Sequence, residues 1–448
     1  MGRKKKLAKL RGKIRRSLRR HIRDLGFDHS KASQIEPRKD SKDALRSLHR
    51  LQRSQRLQDE RSFIKSNLAK LLPSFASGQD VEPGAISPRL ELVKSDTVES
   101  DLFRLASLTW SVPVSHGYGR RMRFLVWDQS NHKLMGIFAL GDPVFNLTAR
   151  DQYVGWNVAD RRERLVDVMD AYVLGAVPPY NMLLGGKVVS CLLRSREIRD
   201  HFTRRYRHTQ GIISGEEKAA SLVMITTSSA LGKSAVYDRL KLNGTLYFEP
   251  VGFTQGWGHF HIPDRLFDDI RQYLALNNHP YASNHDFGKG PNWRLRAVRA
   301  GIELAGLDGG LLRHGIKREV YVCNLATNAR DILNGNSRRP NYAGLQSVKE
   351  ISEMAVARWV LGRARTRPEY TEWSRERVRE LLDYRKNGDA SLLRAPSQYS
   401  MLPAPSPEIR PPLAPTVNLE LPGYGEPNRV ETADTVRREH HLRPTAHR

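Results

Sequence analysis

Apolar residues along this chain come in two patterns, spaced stripes and short unbroken runs, and the change from one to the other marks out the elements. Leu7, Leu10, Ile14, Leu18 and Ile22 recur at steps of three and four, the period of one helix face. Residues 42–72 repeat this more loosely through Leu45, Leu48, Leu51, Leu57, Ile64, Leu68 and Leu71, until Pro73 ends it. Residues 73–95 hold prolines and glycines with few large apolar groups, which predicts a linker. A helix is expected over 96–110. Two apolar runs, 124–127 and 134–141, then flank a polar turn with Asp128, Ser130 and Asn131 and predict a hairpin. A charged helix is expected over 161–170, a buried strand over 171–177 and a helix running on to about 205. Residues 221–226 read as a strand, 230–240 as a helix, and 245–253 and 259–262 as strands. Further on, the pattern predicts helices over 265–276 and 293–304, a strand over 319–323, and Arg-rich helices over 346–366 and 370–386. From 395 onward ten prolines and little periodicity predict a disordered tail.

These elements divide the 448 residues into a basic helical arm with its linker (1–95), an α/β core (96–262), a mainly helical region (263–390) and a Pro-rich tail (391–448). The chain carries 74 Lys and Arg against 48 Asp and Glu, a net charge of +26. Residues 1–23 alone hold twelve Lys or Arg and no acid. A basic amphipathic helix suits nucleic acid, an anionic membrane or an acidic partner. The stripe here is Leu and Ile without Trp or Phe to seat it in lipid, so nucleic acid, and DNA in particular, is the favoured partner. Arg3, Lys4, Lys5, Lys6, Arg15, Arg16, Arg19 and Arg20 are the expected contacts. A solvated arm that serves solubility alone is the competing reading.

No run of about 18 apolar residues is present to span a membrane, and the charged N-terminus predicts no secretory signal. Cys191 and Cys323 are too few for a disulfide framework. The expectation is a reduced, cytoplasmic chain. His259 and His261 lack further ligands at metal spacing, so no metal is expected. Gly232-Lys233-Ser234 is no phosphate loop, because that motif needs a glycine where Thr227 stands.

The strand at 171–177 runs into Pro178-Pro179 and then Asn181-Met182-Leu183-Leu184-Gly185-Gly186-Lys187. A strand opening into a helix through glycines leaves backbone N–H groups that favour phosphate oxygens. An ordinary turn that needs two glycines for its geometry is the alternative. The order of elements over 97–262 resembles the GNAT acyltransferase fold, in which the fourth and fifth strands splay and coenzyme A lies between them. That family's local pattern is Val-x-Pro-x-x-Arg-x-x-Gly-x-Gly or Ala. Val177, Pro179 and Gly185 match it, while Met182 replaces the Arg and Lys187 a small residue. The resemblance implies a mixed central sheet flanked by helices, acetyl-CoA or another acyl-CoA as ligand, and contacts from Val177, Pro179, Leu183, Leu184, Gly185, Gly186 and Lys187. It also implies a proton-donating Tyr at Tyr237, where an ordinary core or surface Tyr is the alternative. No strand-borne carboxylate is found before the prolines, so Asp142, Asp151 and His116 are the substitutes.

A second resemblance covers about 110–335. Gly119 to Val126, Leu134 to Pro143, Leu147-Thr148-Ala149-Arg150-Asp151, Gly155-Trp156 and His314 to Val322 are similar to the DruA family of Druantia anti-phage systems. It implies a role in phage defence or mobile-element biology, with nucleic acid close by; a core that has kept only a nucleic-acid surface, working alongside a helicase or nuclease, is a rival expectation. Arg150 beside Asp151 can fix a loop and Trp156 can stack on a base, so Arg150 and Trp156 join the candidate nucleic-acid contacts. A structural ion pair and a core Trp are the alternative.

Overall fold

In the computed structural model the hairpin runs at 124–127 and 134–141 become two neighbouring strands, second and third from one edge of a seven-stranded sheet. The structure describes residues 2–385 apart from 26, 30–34, 38–41, 116, 118, 211–216, 256–257 and 284–292, so the predicted tail lies outside the described residues. The strands are β1 (Pro88–Leu92), β2 (Arg121–Asp128), β3 (Lys133–Gly141), β4 (Val168–Ala176), β5 (Met224–Ser228), β6 (Glu249–Phe253) and β7 (Glu319–Asn324). Their order is β6-β7-β5-β4-β3-β2-β1, antiparallel throughout except for the parallel pair β4–β5. This mixed sheet, covered by helices, agrees with the expected α/β class.

Burial on both faces explains the unbroken apolar runs, since a strand covered on each side has no solvent face to make polar. One face sets Phe124, Phe138 and Leu140 against α7 (Gly185–Cys191), α8 (Arg196–Tyr206) and α12 (Val348–Ala355). The other sets Leu125, Ile137 and Val173 against α2 (Lys42–Asp59), α3 (Arg61–Leu71) and α4 (Val98–Leu108). Further along that face Val168 and Met224 meet α5 (Thr148–Val154) and α11 (Ala329–Leu333). The core sheet keeps neither expected limit: edge strand β1 lies in the segment 73–95 expected as a linker, and β7, from beyond residue 263, inserts between β5 and β6. The described residues lie in one compact unit.

Several expected elements differ. The charged helix over 161–170 is α6 (Val158–Arg164), started earlier by an Asn157–Asp160 capping box. The chain becomes strand at Val168, because Val168 and Met169 pair with Met224 and Ile225 in the buried sheet. The long helix after the prolines breaks at Ser195, where Arg196 N–H donates to Gln346 O and Arg194 binds the carbonyls of Asn324 and Gly344. No helix forms over 230–240. Gly232 and Arg239 take left-handed φ of 74° and 59°, and the Ser234 hydroxyl accepts the N–H groups of Val236 and Tyr237, a local bond that competes with a helix. The strand expected over 245–253 is shortened by a tight hairpin at Asn243-Gly244, whose φ values of 45° and 81° suit that dipeptide. His259 makes a single bridge to Arg313 in place of a strand.

The predicted arm is a helix, α1 (Arg3–Asp24), but not a free one. Its stripe of Leu10, Ile14, Leu18 and Ile22 is buried against α9 (Asp264–Leu276) and α10 (Trp293–Leu304), on Ile270, Leu274 and Ile302. Lys13 bridges Asp269 at 2.7 Å and Arg11 donates to Ala305 O. Ile14 is 0% exposed. Ile14→Ala is therefore expected to cost about 2–5 kcal/mol, read as a lower midpoint in chemical denaturation.

Candidate functional site

The β4–β5 ladder ends early. Val168, Met169 and Asp170 pair with Met224, Ile225 and Thr226, and pairing stops there although β4 continues to Ala176 and β5 to Ser228. On its other side β4 bulges. Ala171 faces Leu140 and Val173 faces Ala139, which leaves Tyr172 as the extra residue and bends the strand. Gly175 lets Trp110 lie against the parting strand, since a Cβ there would come within 3.1 Å of the indole. Thr227 Oγ1 donates to Ala171 O at 2.9 Å, and Thr226 Oγ1 to Asp170 Oδ1 at 2.8 Å. Thr227 thus satisfies a carbonyl that the missing ladder would leave bare, and Thr226 serves the Asp170 carboxylate.

Side chains alternate along a strand, so the parting point presents different chemistry on each face. Asp170 shares the face of Val168 and Met224, and Thr227 shares the face of Ile225. Burial raises the Asp170 carboxyl to about 6, against the opposing effects of the Thr226 bond and the Arg150 charge. On the other face Tyr237 stacks on Phe248 at 5.4 Å and meets the edge of Tyr321 at the same distance. Burial pushes its phenol up to about 12; a hydrogen bond with Thr227 opposes this and the Asp170 charge adds to it. Tyr321 donates to Glu319 and accepts from Ser234 N–H. Tyr237 therefore sits at the gap, but from a turn and not from a helix. Asp170 is the residue that the sequence reading missed. The signal was a lone carboxylate inside the apolar run from Val168 to Ala176, hidden by ending the expected helix at 170 and starting the strand at 171.

The glycine junction behaves differently from the expected cradle. Val177 N–H donates to Met135 O, and Met182 N–H to Pro179 O. The N–H groups of Leu183 and Gly185 go to Tyr180 O, and that of Lys187 to Leu184 O. The turn spends these amides on neighbouring carbonyls, so they do not fit a pyrophosphate. Gly185 is needed for packing, because a Cβ there would lie 2.6 Å from Tyr180 O, while Gly186 faces Val236. Lys187 is half-buried, with Nζ 5.5 Å from the Trp359 ring centre and a pKa lowered by burial. Beside the gap lies a cavity of about 410 Å³, bounded by Trp110, Pro178, Met182 and Tyr237. Arg46, Lys233 and Arg377 also line it, and no Asp or Glu is among its described lining residues.

The remaining candidates are placed elsewhere. Arg150 is 0% exposed and donates to the carbonyls of Val144 and Phe145 and twice to Asp151 Oδ1. Asp151 also binds Arg161 at 2.8 Å and accepts Leu147 N–H. Trp156 is buried, 5.4 Å from the Arg150 guanidinium, and donates to Leu333 O. This internal clamp leaves neither Arg150 nor Trp156 open to a base and spends the Asp151 oxygens, so the loop-fixing alternative describes it. Asp142 accepts from Arg120 Nε at 2.7 Å and from its N–H at 3.0 Å, which pins the turn at Gly119. His116 lies outside the described residues. On α1, Arg3 donates to Leu276 O, Arg15 is half-buried, and Lys4, Lys5, Lys6, Arg16, Arg19 and Arg20 are exposed.

The raised carboxyls set a pH dependence. Burial lifts both Asp167 and Asp170 to about 6, against about 3.9 for an unfolded Asp. Between those values the folded chain binds more protons than the unfolded one, so stability falls as pH rises from about 4 to 6. Asp170→Asn is expected to make that decline shallower in thermal melts taken across this range.

Comparison with known proteins covers the same elements. A family profile described as Druantia protein DruA matches residues 39–335, a span that holds all seven strands. The Druantia protein DruA of Escherichia coli (strain UMEA 4076-1) is 50% identical over 375 residues, 84% of this chain and 92% of that protein. No solved structure matches at a significant level. No helix among the described residues is long and apolar enough to cross a membrane. With the match running through the whole sheet, its parting strands and the Arg150 clamp, the chain belongs to the DruA family of Druantia anti-phage systems.

Proposed function

We propose that the chain is a DNA-associated component of anti-phage defence, with an acyltransferase-like core that holds a phosphate-bearing small ligand at the gap between β4 and β5. The observation that carries this reading is a ladder that stops after three pairs beside a cavity lined by cations and no described carboxylate. A low-dielectric cleft with one sign of charge concentrates ions of the other. Because the Met182, Leu183, Gly185 and Lys187 amides are already bonded, phosphate recognition would fall to Lys233 and Arg377, with Arg46 beside them. Acetyl-CoA or another acyl-CoA is the ligand class to try first, as a slender molecule with phosphates at one end.

Tyr237, which lines this cavity, favours a second reading, transfer of a small group to a nucleobase or protein. Burial holds the Tyr237 phenol at about 12, so near neutral pH it keeps a proton to give. DNA association is supported by the +26 charge and by the exposed basic residues of α1. A helicase or nuclease of the same defence system is the natural partner for such a subunit.

Calorimetry with the full chain is expected to show coenzyme A binding that weakens at least tenfold in Lys233→Ala/Arg377→Ala. No heat with coenzyme A or acetyl-CoA at millimolar ligand would end the ligand reading and leave a non-catalytic nucleic-acid-binding subunit. In gel shifts, DNA affinity is expected to fall steeply between 50 and 200 mM salt, roughly 10³-fold or more for six or more phosphate contacts. Absence of any shift with DNA or RNA at low salt would remove the association.

A further inference from the structure

A second and larger cleft, of about 950 Å³, opens on the sheet face that carries α4. Seven Lys or Arg residues and three carboxylates line it. Part of that charge is committed within the fold. Arg53 donates to the carbonyls of Trp110 and Leu381, and Arg56 and Arg104 both bridge Glu60. Lys94, Arg123 and Arg205 are placed differently. Lys94 and Arg205 are exposed, and the Arg123 and Arg205 guanidiniums lie over the Phe103 and Tyr206 rings at 5.7 and 5.5 Å. A guanidinium held near a ring face by its charge keeps N–H donors for an anion.

The aromatic side of the cleft is equally built. Tyr172 lines it from the β4 bulge, where Arg123 and Arg121 are close enough to oppose the rise that burial causes in its pKa. Tyr206 is fixed at the rim, donating to Arg121 O and accepting Arg121 N–H. Cations interleaved with aromatic faces, in a concave site, are what an unpaired nucleic-acid strand needs for its phosphates and its bases. In a duplex the bases are stacked away from such rings and only the backbone is offered.

We infer that this cleft binds a single-stranded nucleic-acid segment, its phosphates on Lys94, Arg123 and Arg205 and its bases against Tyr172 and Tyr206. The inference rests on the DNA association proposed above and names its site, separate from the exposed face of α1. Trp110 lines both this cleft and the smaller cavity beside the gap, so a strand seated here lies one indole from the small-ligand site.

The test is fluorescence anisotropy of labelled oligothymidylate and of a DNA duplex with the full chain. Two variants are compared, K94A/R123A/R205A in the cleft and K4A/K5A/K6A/R19A/R20A on α1. The cleft variant is expected to weaken oligothymidylate binding at least tenfold, to lower its salt slope by about 2 at roughly 0.7 per phosphate contact, and to change duplex binding less than twofold. Tyr206→Leu is expected to weaken oligothymidylate binding about fivefold or more. If Arg123→Ala disturbs β2, as an altered melting temperature would reveal, K94A/R205A carries the same test from exposed positions. Unchanged oligothymidylate binding in the cleft variants, with loss in the α1 variant, overturns the cleft and leaves the association standing. Failure of the unaltered chain to bind either probe at low salt overturns both. Displacement of oligothymidylate by polyglutamate at equal charge would mark a general anion site and overturn the nucleic-acid assignment.

Discussion

Three residue pairs join β4 to β5, and the parting of the strands after Asp170 arranges most of what surrounds it. A buried strand that loses its neighbour must satisfy its N–H and C=O groups in some other way or pay for them in stability. Here the answers are local. Thr227 binds Ala171 O, the β4 bulge turns Tyr172 aside, and Trp110 fills the space over Gly175. The same parting places a raised carboxyl on one face and a protected phenol on the other, and puts a cavity on each side of Trp110.

The excess of positive charge is divided between two uses. Arg53, Arg120 and Arg194 bind backbone carbonyls and join segments far apart in sequence, while Arg150 ties its own loop. A planar guanidinium with several donors suits that task better than an ammonium does. Such buried cations are tied to the fold and unavailable to a ligand. The exposed residues of α1, together with Lys94 and Arg205, belong to the part of the +26 that a partner can meet. Net charge alone does not separate these populations, and burial does.

The docking of α1 shows why an amphipathic stripe is ambiguous in isolation. Its period of three and four states that one face seeks apolar company without saying whose. In the folded chain that company is α9 and α10, some 250 residues later. The helix is thereby held as a fixed ridge, with its basic side turned outward.

Much of the local structure was legible from residue order alone. The β2–β3 hairpin, the helical period of α1, the limits of α10 and the family motifs follow from patterns within a few residues, which local sterics and burial on one face or two decide. Arg150, Asp151 and Trp156 were legible as a constellation, but whether it faced a base or the core was not, because that depends on Leu333 and Arg161. Asp170 was misplaced for a related reason. Val168 and Met169 are strand only because Met224 and Ile225 lie beside them, and β5 is itself held in place by β7, nearly a hundred residues further on. The glycine turn likewise showed that a tight bend was required, while hydrogen bonding within the folded turn determined that its amides would be spent. Residue order thus determined which segments could be helix, strand or turn. Long-range pairing decided where the strands part and which charges remain open to a partner, since both depend on neighbours that only the folded chain supplies.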